Sequence, residues 1–191
     1  MKKKTINAYD KTFEIFISKK EIAERVKILG KNISKDYRDK NPLLLCILNG
    51  AFVFSADLVR ALNINCNVSF TKLASYSGLK SSGKVTTILG IDTPIKGRHV
   101  IIVEDIVDSG VTMNRLLKQL ALESPASVTI AACFMKTEAL IEPVEVKYLG
   151  FDIPNKFIIG YGLDYDGLGR NWSDVYVLKK DNGQGTRDEN K

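Results

Sequence analysis

Apolar positions along this chain fall into two periods, and together they predict strands alternating with helices. Ser18-Lys19-Lys20-Glu21 has the spacing of a capping box, and Ile22, Val26, Leu29 and Ile33 follow at helical intervals. Asn41-Pro42 is the expected end of that helix, since the residue before a proline is pushed out of the helical region. Leu43 to Leu48 is then a continuous apolar run of strand length, Asn49-Gly50 a turn, and Phe52, Val53, Ala56, Val59 and Leu62 a second helical pattern. A strand alternating through Ile64, Cys66, Val68 and Phe70 leads into Ser75 to Lys84. There, four serines, two glycines and two lysines among ten residues leave no core-forming period, and a mobile loop is expected.

Beyond the loop, Val85 to Ile91 reads as a strand, Pro94 and Gly97 as a turn, and Val100 to Val103 as a buried strand. A helix carries Leu116, Leu117, Leu120 and Ala121, and further strands cover Val128 to Phe134 and Val146 to Leu149. The alternation implies an α/β domain with a mostly parallel, twisted, doubly wound sheet flanked by helices, whose ligands bind at the carboxyl ends of the strands. The domain is expected to span residues 1–180. Residues 181–191 are polar, lack an apolar anchor and are expected to be disordered.

Composition narrows the class. With 191 residues, 45% hydrophobic and 26% charged, one compact domain can bury a full core without a metal or disulfide staple. Three cysteines, two of them inside apolar runs, argue against a disulfide framework and for a reducing compartment, the cytoplasm. No run approaches a membrane span, and Lys2 to Lys4 are followed by polar residues instead of an apolar signal segment. The net charge of +6 suits phosphate-bearing substrates; the cations are scattered along the sequence, so nucleic-acid binding is not expected.

The richest motif is Val100-Ile101-Ile102-Val103-Glu104-Asp105-Ile106-Val107-Asp108-Ser109-Gly110-Val111-Thr112. A buried strand is read as ending in Glu104 and Asp105, then a short loop delivers Asp108, Ser109, Gly110 and Thr112 to a helix start. Free N–H groups there, two hydroxyls and a glycine that permits close approach suit a terminal phosphate. Two adjacent carboxylates can accept from the diol of a ribose, directly or through hydrated Mg²⁺. The competing reading is that Asp108 or Ser109 merely caps the helix. Gly160-Tyr161-Gly162 follows an apolar strand, but Asp164 replaces the third glycine of a dinucleotide fingerprint and no helix pattern follows. Gly78 to Lys84 has P-loop spacing, yet Val85 stands where the hydroxyl should be. His99, the only histidine, reads as structural.

Val-Glu-Asp-Ile-Val-Asp-Ser-Gly-Val-Thr resembles the phosphoribosyl pyrophosphate (PRPP) motif of type I phosphoribosyltransferases, and over Thr5 to Lys180 the chain is most similar to the hypoxanthine-guanine phosphoribosyltransferases. The resemblance implies that fold, with a small hood formed by the N- and C-terminal segments. It also implies Mg²⁺-dependent transfer of the phosphoribosyl group from PRPP to N9 of hypoxanthine or guanine, giving IMP or GMP and pyrophosphate. By it, Glu104 and Asp105 bind the ribose hydroxyls and the metal. The segment Ile106, Val107, Asp108, Ser109, Gly110, Val111 and Thr112 holds the 5′-phosphate, with Asp108 also the acid/base facing the purine N7. Leu48-Asn49-Gly50 corresponds to the pyrophosphate loop, where relatives often carry Lys or Arg at Asn49, and a cis peptide between Leu48 and Asn49 is implied. Ser75-Tyr76 implies a lid over PRPP, and Lys136 a donor to the exocyclic O6. Phe157 would stack on the purine, the Ile158 backbone meet its edge, Asp164 hold a second Mg²⁺ beside the base, and Arg170 contact pyrophosphate. A homodimer or homotetramer is implied. An RNA-binding attenuator on the same fold is the alternative, which would not need the base site of Lys136, Phe157 and Asp164.

Overall fold

The computed structural model describes residues 5–74, 86–89 and 93–179. The Ser75 to Lys84 loop with its Ser75-Tyr76 lid, the 181–191 tail and the termini of the Val85 to Ile91 strand lie outside the described residues.

Two sheets form. The larger has six strands in the order β5-β4-β3-β6-β7-β8: β3 (Leu43–Leu48), β4 (Asn67–Ala74), β5 (Thr86–Leu89), β6 (His99–Val107), β7 (Ser127–Met135) and β8 (Tyr148–Asp152). Five are parallel and β5 is an antiparallel edge strand. Helices α1 (Lys19–Asp36) and α2 (Phe52–Ala61) cover one face and α3 (Val111–Ala121) the other. The central strands β3 and β6 are buried on both faces: Leu44, Cys46, Ile101 and Val103 pack under α1 and α2, and Leu43, Leu45, Val100 and Ile102 under α3.

The second sheet is the hood. Its order is β1-β2-β10-β9, all antiparallel, from β1 (Thr5–Ala8), β2 (Lys11–Ile17), β9 (Ile158–Ile159) and β10 (Val175–Leu178). Ala8, Phe13, Ile159 and Tyr176 form its own small core.

Local chemistry explains most elements. Ser18 caps α1 with the full reciprocal box: its hydroxyl accepts from the Glu21 N–H, and the Glu21 carboxylate accepts from the Ser18 N–H. The helix stops at Asp36, short of Asn41-Pro42, because Tyr37 turns into the core and its hydroxyl bonds Thr129 at 3.0 Å, while Asp39 and Asn41 adopt positive φ. β4 begins at Asn67, not Ile64, and inverts the expected alternation. Ser69 and Thr71 are buried and Val68 and Phe70 exposed, because α1 and α2 stop short of β4, so its apolar positions lie beside covered Leu44 and Cys46 without a cover of their own. β8 starts at Tyr148 rather than Val146, where pairing with Ala131 begins. β6 runs on to Val107, so Glu104 and Asp105 stand within the strand rather than after it. His99 is structural, with Nδ1 2.8 Å from the Ser127 hydroxyl. The three cysteines are free, two of them buried, and among the described residues no helix is long and apolar enough to cross a membrane.

α1 crosses α2 closely at Gly30, where an added Cβ would lie 2.5 Å from the Ala61 carbonyl oxygen. A helix-interior Gly→Ala ordinarily stabilises by about 1 kcal/mol. Here Gly30→Ala is expected to destabilise by about 1–3 kcal/mol, since backbone rather than a flexible side chain must yield. Urea unfolding checks the sign.

Candidate active site

Close contacts at two glycines bring three segments together at the carboxyl end of the larger sheet. A Cβ on Gly50 would fall 1.5 Å from Asp105 Oδ2, so the turn after β3 rests directly on the acidic end of β6. Gly162 presses on the Gly50 carbonyl in turn; its own Cβ would sit 2.1 Å away. The peptide between Leu48 and Asn49 is cis, as the resemblance implied.

A cavity of about 200 Å³ opens where β6 meets α3, lined by Ile47, Leu73, Glu104 and the Ile106 to Gly110 segment with Thr112. The capping alternative for Asp108 and Ser109 does not hold. Gly110 is the N-cap at φ 78°, and among the described residues no side chain caps α3. That turn therefore presents its first N–H groups and the positive end of its dipole to the cavity, an arrangement that suits an anion. The turn is braced from behind, where Ile141 and Glu142 donate to the Ser109 carbonyl at 2.9 and 3.1 Å.

The β6–β7 register pairs Val107 with Met135, so Asp108 and Lys136 leave neighbouring strands side by side. Lys136 Nζ lies 2.8 Å from Asp108 Oδ2. The lysine is buried and the aspartate side chain exposed, which leaves the pair open from the aspartate side.

Glu104 is buried, and burial with the neighbouring Asp105 carboxylate raises its pKa well above the ordinary range. Its Oε1 accepts from the Asp105 N–H, while Asp105 Oδ1 accepts from Ile106 N–H. A buried carboxyl beside a second one is relieved by a hard cation, and the oxygen donors suit hydrated Mg²⁺. Asp164 is less available: Arg170 pairs with its Oδ1 at 2.6 Å and Gly167 N–H donates to its Oδ2 at 2.7 Å. Arg170 also donates to the carbonyl of Gly162, the residue that packs on Gly50.

Phe157 is 45% exposed, at the entrance to β9, with a tilted ring contact to Phe13 and an edge contact to Tyr165. Leu178 N–H donates to the Phe157 carbonyl, and the register places Val177 opposite Ile158. Ile158 is then a non-hydrogen-bonded position whose N–H and C=O point away from β10, off the open edge of the hood. One supporting residue escaped the sequence reading. Tyr161 hydroxyl donates to Asp57 Oδ2 at 2.7 Å, tying the 160–170 loop to α2. Burial and Asp57 both raise the Tyr161 pKa. The two are 104 residues apart and no spacing rule links them.

This is the geometry of a phosphoribosyltransferase, and residues 16–166 match the phosphoribosyl transferase domain family. Hypoxanthine-guanine phosphoribosyltransferase of Streptococcus thermophilus is 41% identical over 169 residues, 88% of this chain and 94% of that protein. The Dictyostelium discoideum enzyme of the same name is 46% identical over 157 residues, 80% and 87% of the two chains. Among solved structures, Trypanosoma cruzi hypoxanthine phosphoribosyl transferase superposes with a TM-score of 0.83 at 37% identity, covering 91% of this chain and 95% of that one. The Bacillus anthracis hypoxanthine-guanine phosphoribosyltransferase gives 0.82 at 32% identity, over 86% and 98%. The chain belongs to the hypoxanthine-guanine phosphoribosyltransferase family.

Gly110→Ala combines a positive φ with a Cβ that would stand 2.1 Å from the Glu142 carbonyl oxygen. It should destabilise the fold by about 1–3 kcal/mol and displace the α3 N-terminus. Thermal unfolding and PRPP titration, compared with Gly97→Ala, whose Cβ meets nothing within 4 Å, separate the clash from the effect of φ alone.

Proposed function

We propose that the chain catalyses Mg²⁺-dependent transfer of the 5-phosphoribosyl group from PRPP to N9 of hypoxanthine or guanine, releasing pyrophosphate. The observation that carries this reading is the Asp108–Lys136 pair, 2.8 Å apart, beside an uncapped helix N-terminus. A 6-oxopurine offers complementary partners to both members: an imidazole nitrogen whose proton the carboxylate can hold, and an exocyclic oxygen that accepts from the ammonium.

The remaining roles follow from position. The first-turn N–H groups of α3, with Ser109 and Thr112, hold the 5′-phosphate, while Glu104 and Asp105 receive the ribose hydroxyls. When bound at that acidic pair, Mg²⁺ supplies charge neutralisation for the departing diphosphate. Arg170 and the Leu48-Asn49-Gly50 turn face the same leaving group, and because Asn49 brings no charge, Arg170 is the cation of that loop pair. Asp164 holds Arg170 in place; a second metal on its carboxylate would require Arg170 to release Oδ1. Phe157 gives the purine an aromatic face, and the outward Ile158 backbone gives its edge a donor and an acceptor. Glycosyl transfer builds oxocarbenium-like charge on the sugar, which the nearby carboxylates favour in the transition state.

Free cysteines and the purine substrate fit the cytoplasm, and exposed Phe52, Val68 and Phe70 fit assembly into a homodimer or homotetramer.

Asp108→Ala should lower kcat at least tenfold with PRPP affinity within a small factor, because the acid/base is lost and the backbone phosphate site kept. Steady-state kinetics with hypoxanthine and PRPP measure it, and wild-type turnover would remove Asp108 from the chemistry. Lys136→Ala should cost purine use about 1.5–3 kcal/mol, the worth of a hydrogen bond from a charged donor. It should also erode the preference for 6-oxo over 6-amino purines, read as the ratio of kcat/KM values.

A further inference from the structure

The end of the molecule opposite the active site carries a second cationic feature. α1 runs toward the amino ends of the strands, and its C-terminal half meets the 61–65 loop that follows α2, where Asn63 N–H donates to Ser34 Oγ at 2.9 Å; an open groove of about 1230 Å³ lies over this seam. Lys27, Lys31 and Lys35 are spaced four residues apart along one row of the helix, and Arg38 follows just beyond its end. Charges that are scattered in the sequence are thus gathered into a stripe by the helical period.

The simplest account is that these cations offset the negative ends of α1 and α2. Its size is insufficient. Two helix C-termini supply about one negative charge in total. Four cations and a single carboxylate, Asp39, line the groove. Lys27 leans on Glu24 at 3.6 Å, but Lys31, Lys35 and Arg38 are exposed and have no ion-pair partner among the described residues. The other wall offers the amides of Asn63 and Asn65 around a partly buried Ile64, hydrogen-bonding groups without opposing charge.

We propose that this groove binds the phosphodiester backbone of a single-stranded nucleic acid. A helix rises about 1.5 Å per residue, so successive cations of the row stand about 6 Å apart along its axis. The phosphates of a compact di- or triphosphate share bridging oxygens and would crowd one or two of these cations. Successive phosphates of a strand are separated by a whole sugar and can engage several. Among the described residues no aromatic side chain lines the groove, so bases gain no stacking platform there and recognition is indifferent to base identity. Affinity arises from counterion release and falls steeply with salt.

The test uses the full-length protein and fluorescently labelled 20-nucleotide RNA and DNA strands, purine-rich and pyrimidine-rich, in anisotropy titrations across salt concentrations. Binding at low salt that varies by less than about threefold with base composition is expected, with the RNA and DNA arms showing whether the sugar matters. The triple variant Lys31→Gln, Lys35→Gln, Arg38→Gln should bind at least tenfold more weakly. Its log-affinity against log-salt slope should be shallower by about 2, at about 0.7 per phosphate released from single strands. Purine turnover should be unchanged, because the groove and the active site lie at opposite ends of the sheet. A control triple of equal charge loss, Lys20→Gln, Lys118→Gln, Lys156→Gln, should retain most of the affinity. The proposal is overturned by a wild type that does not bind, by equal losses in the two triples, or by displacement of the strand by PRPP. Displacement by inorganic triphosphate at equal phosphate concentration would assign the groove to compact polyphosphates and overturn it as well.

Discussion

Everything at the active end of this molecule is held to one close approach, in which Gly50 is pinned between the Asp105 carboxylate and the Gly162 backbone. Neither side has room for a methyl group. The turn after β3, the acidic end of β6 and the 160–170 loop are therefore fixed relative to one another by close steric contact at Gly50, before any side-chain bond is counted. The side chains then secure what the backbone has set: Arg170 to Asp164 and to the Gly162 carbonyl, and Tyr161 to Asp57 on the helix that starts just past Gly50. Because α2 begins at Phe52, any shift of that helix moves the turn, and any shift of the turn moves the loop carrying Arg170.

Charge is distributed along this frame in a way that leaves the free protein incompletely satisfied. Glu104 is buried near Asp105 with its pKa driven upward, the α3 N-terminus has no side-chain cap, and Lys136 is paired to Asp108 at the site's edge. A glycine at the N-cap forgoes about a few tenths of a kcal/mol relative to a capping side chain. Each deficit has the sign that a phosphorylated sugar with its metal, and a base with a polar edge, would correct. Stability given up at these positions is available as binding energy for a ligand of matching charge.

The layered architecture and its nucleotide-facing end were legible because parallel strands buried on both faces write themselves as unbroken apolar runs, as in Leu43 to Leu48 and Val100 to Val103. The capping box at Ser18 was legible for the same reason: its partners are three residues apart. What escaped depends on the third dimension. Val68 and Phe70 had the right alternation for a strand and the wrong face, since nothing in β4 says where α1 and α2 end. The strands β1 and β2 are mixed in polarity and β10 is only four residues long, and the sheet they share is closed by the pairing of β2 with β10 across more than 150 residues. The Asp108–Lys136 contact was foreseen in its members through family resemblance, but not in its pairing. That pairing depends on the β6–β7 register, which no local pattern reports.

The polarity of a parallel sheet also explains why one small chain can carry two cationic features without mutual interference. Strand carboxyl ends all point one way, toward the Gly50 turn and the α3 N-terminus, whereas the helices that return the chain finish at the other end with their negative termini exposed. Cations placed at that far end serve the helices first, as Lys35 and Arg60 do in the last turns of α1 and α2. Once their number exceeds what two helix termini can neutralise, the surplus becomes a field directed at solvent. In this chain the surplus is concentrated on the groove where α1 outruns α2, so the same helix packing that buries Gly30 against Ala61 also leaves Lys31, Lys35 and Arg38 with Asp39 as the single carboxylate lining that groove among the described residues.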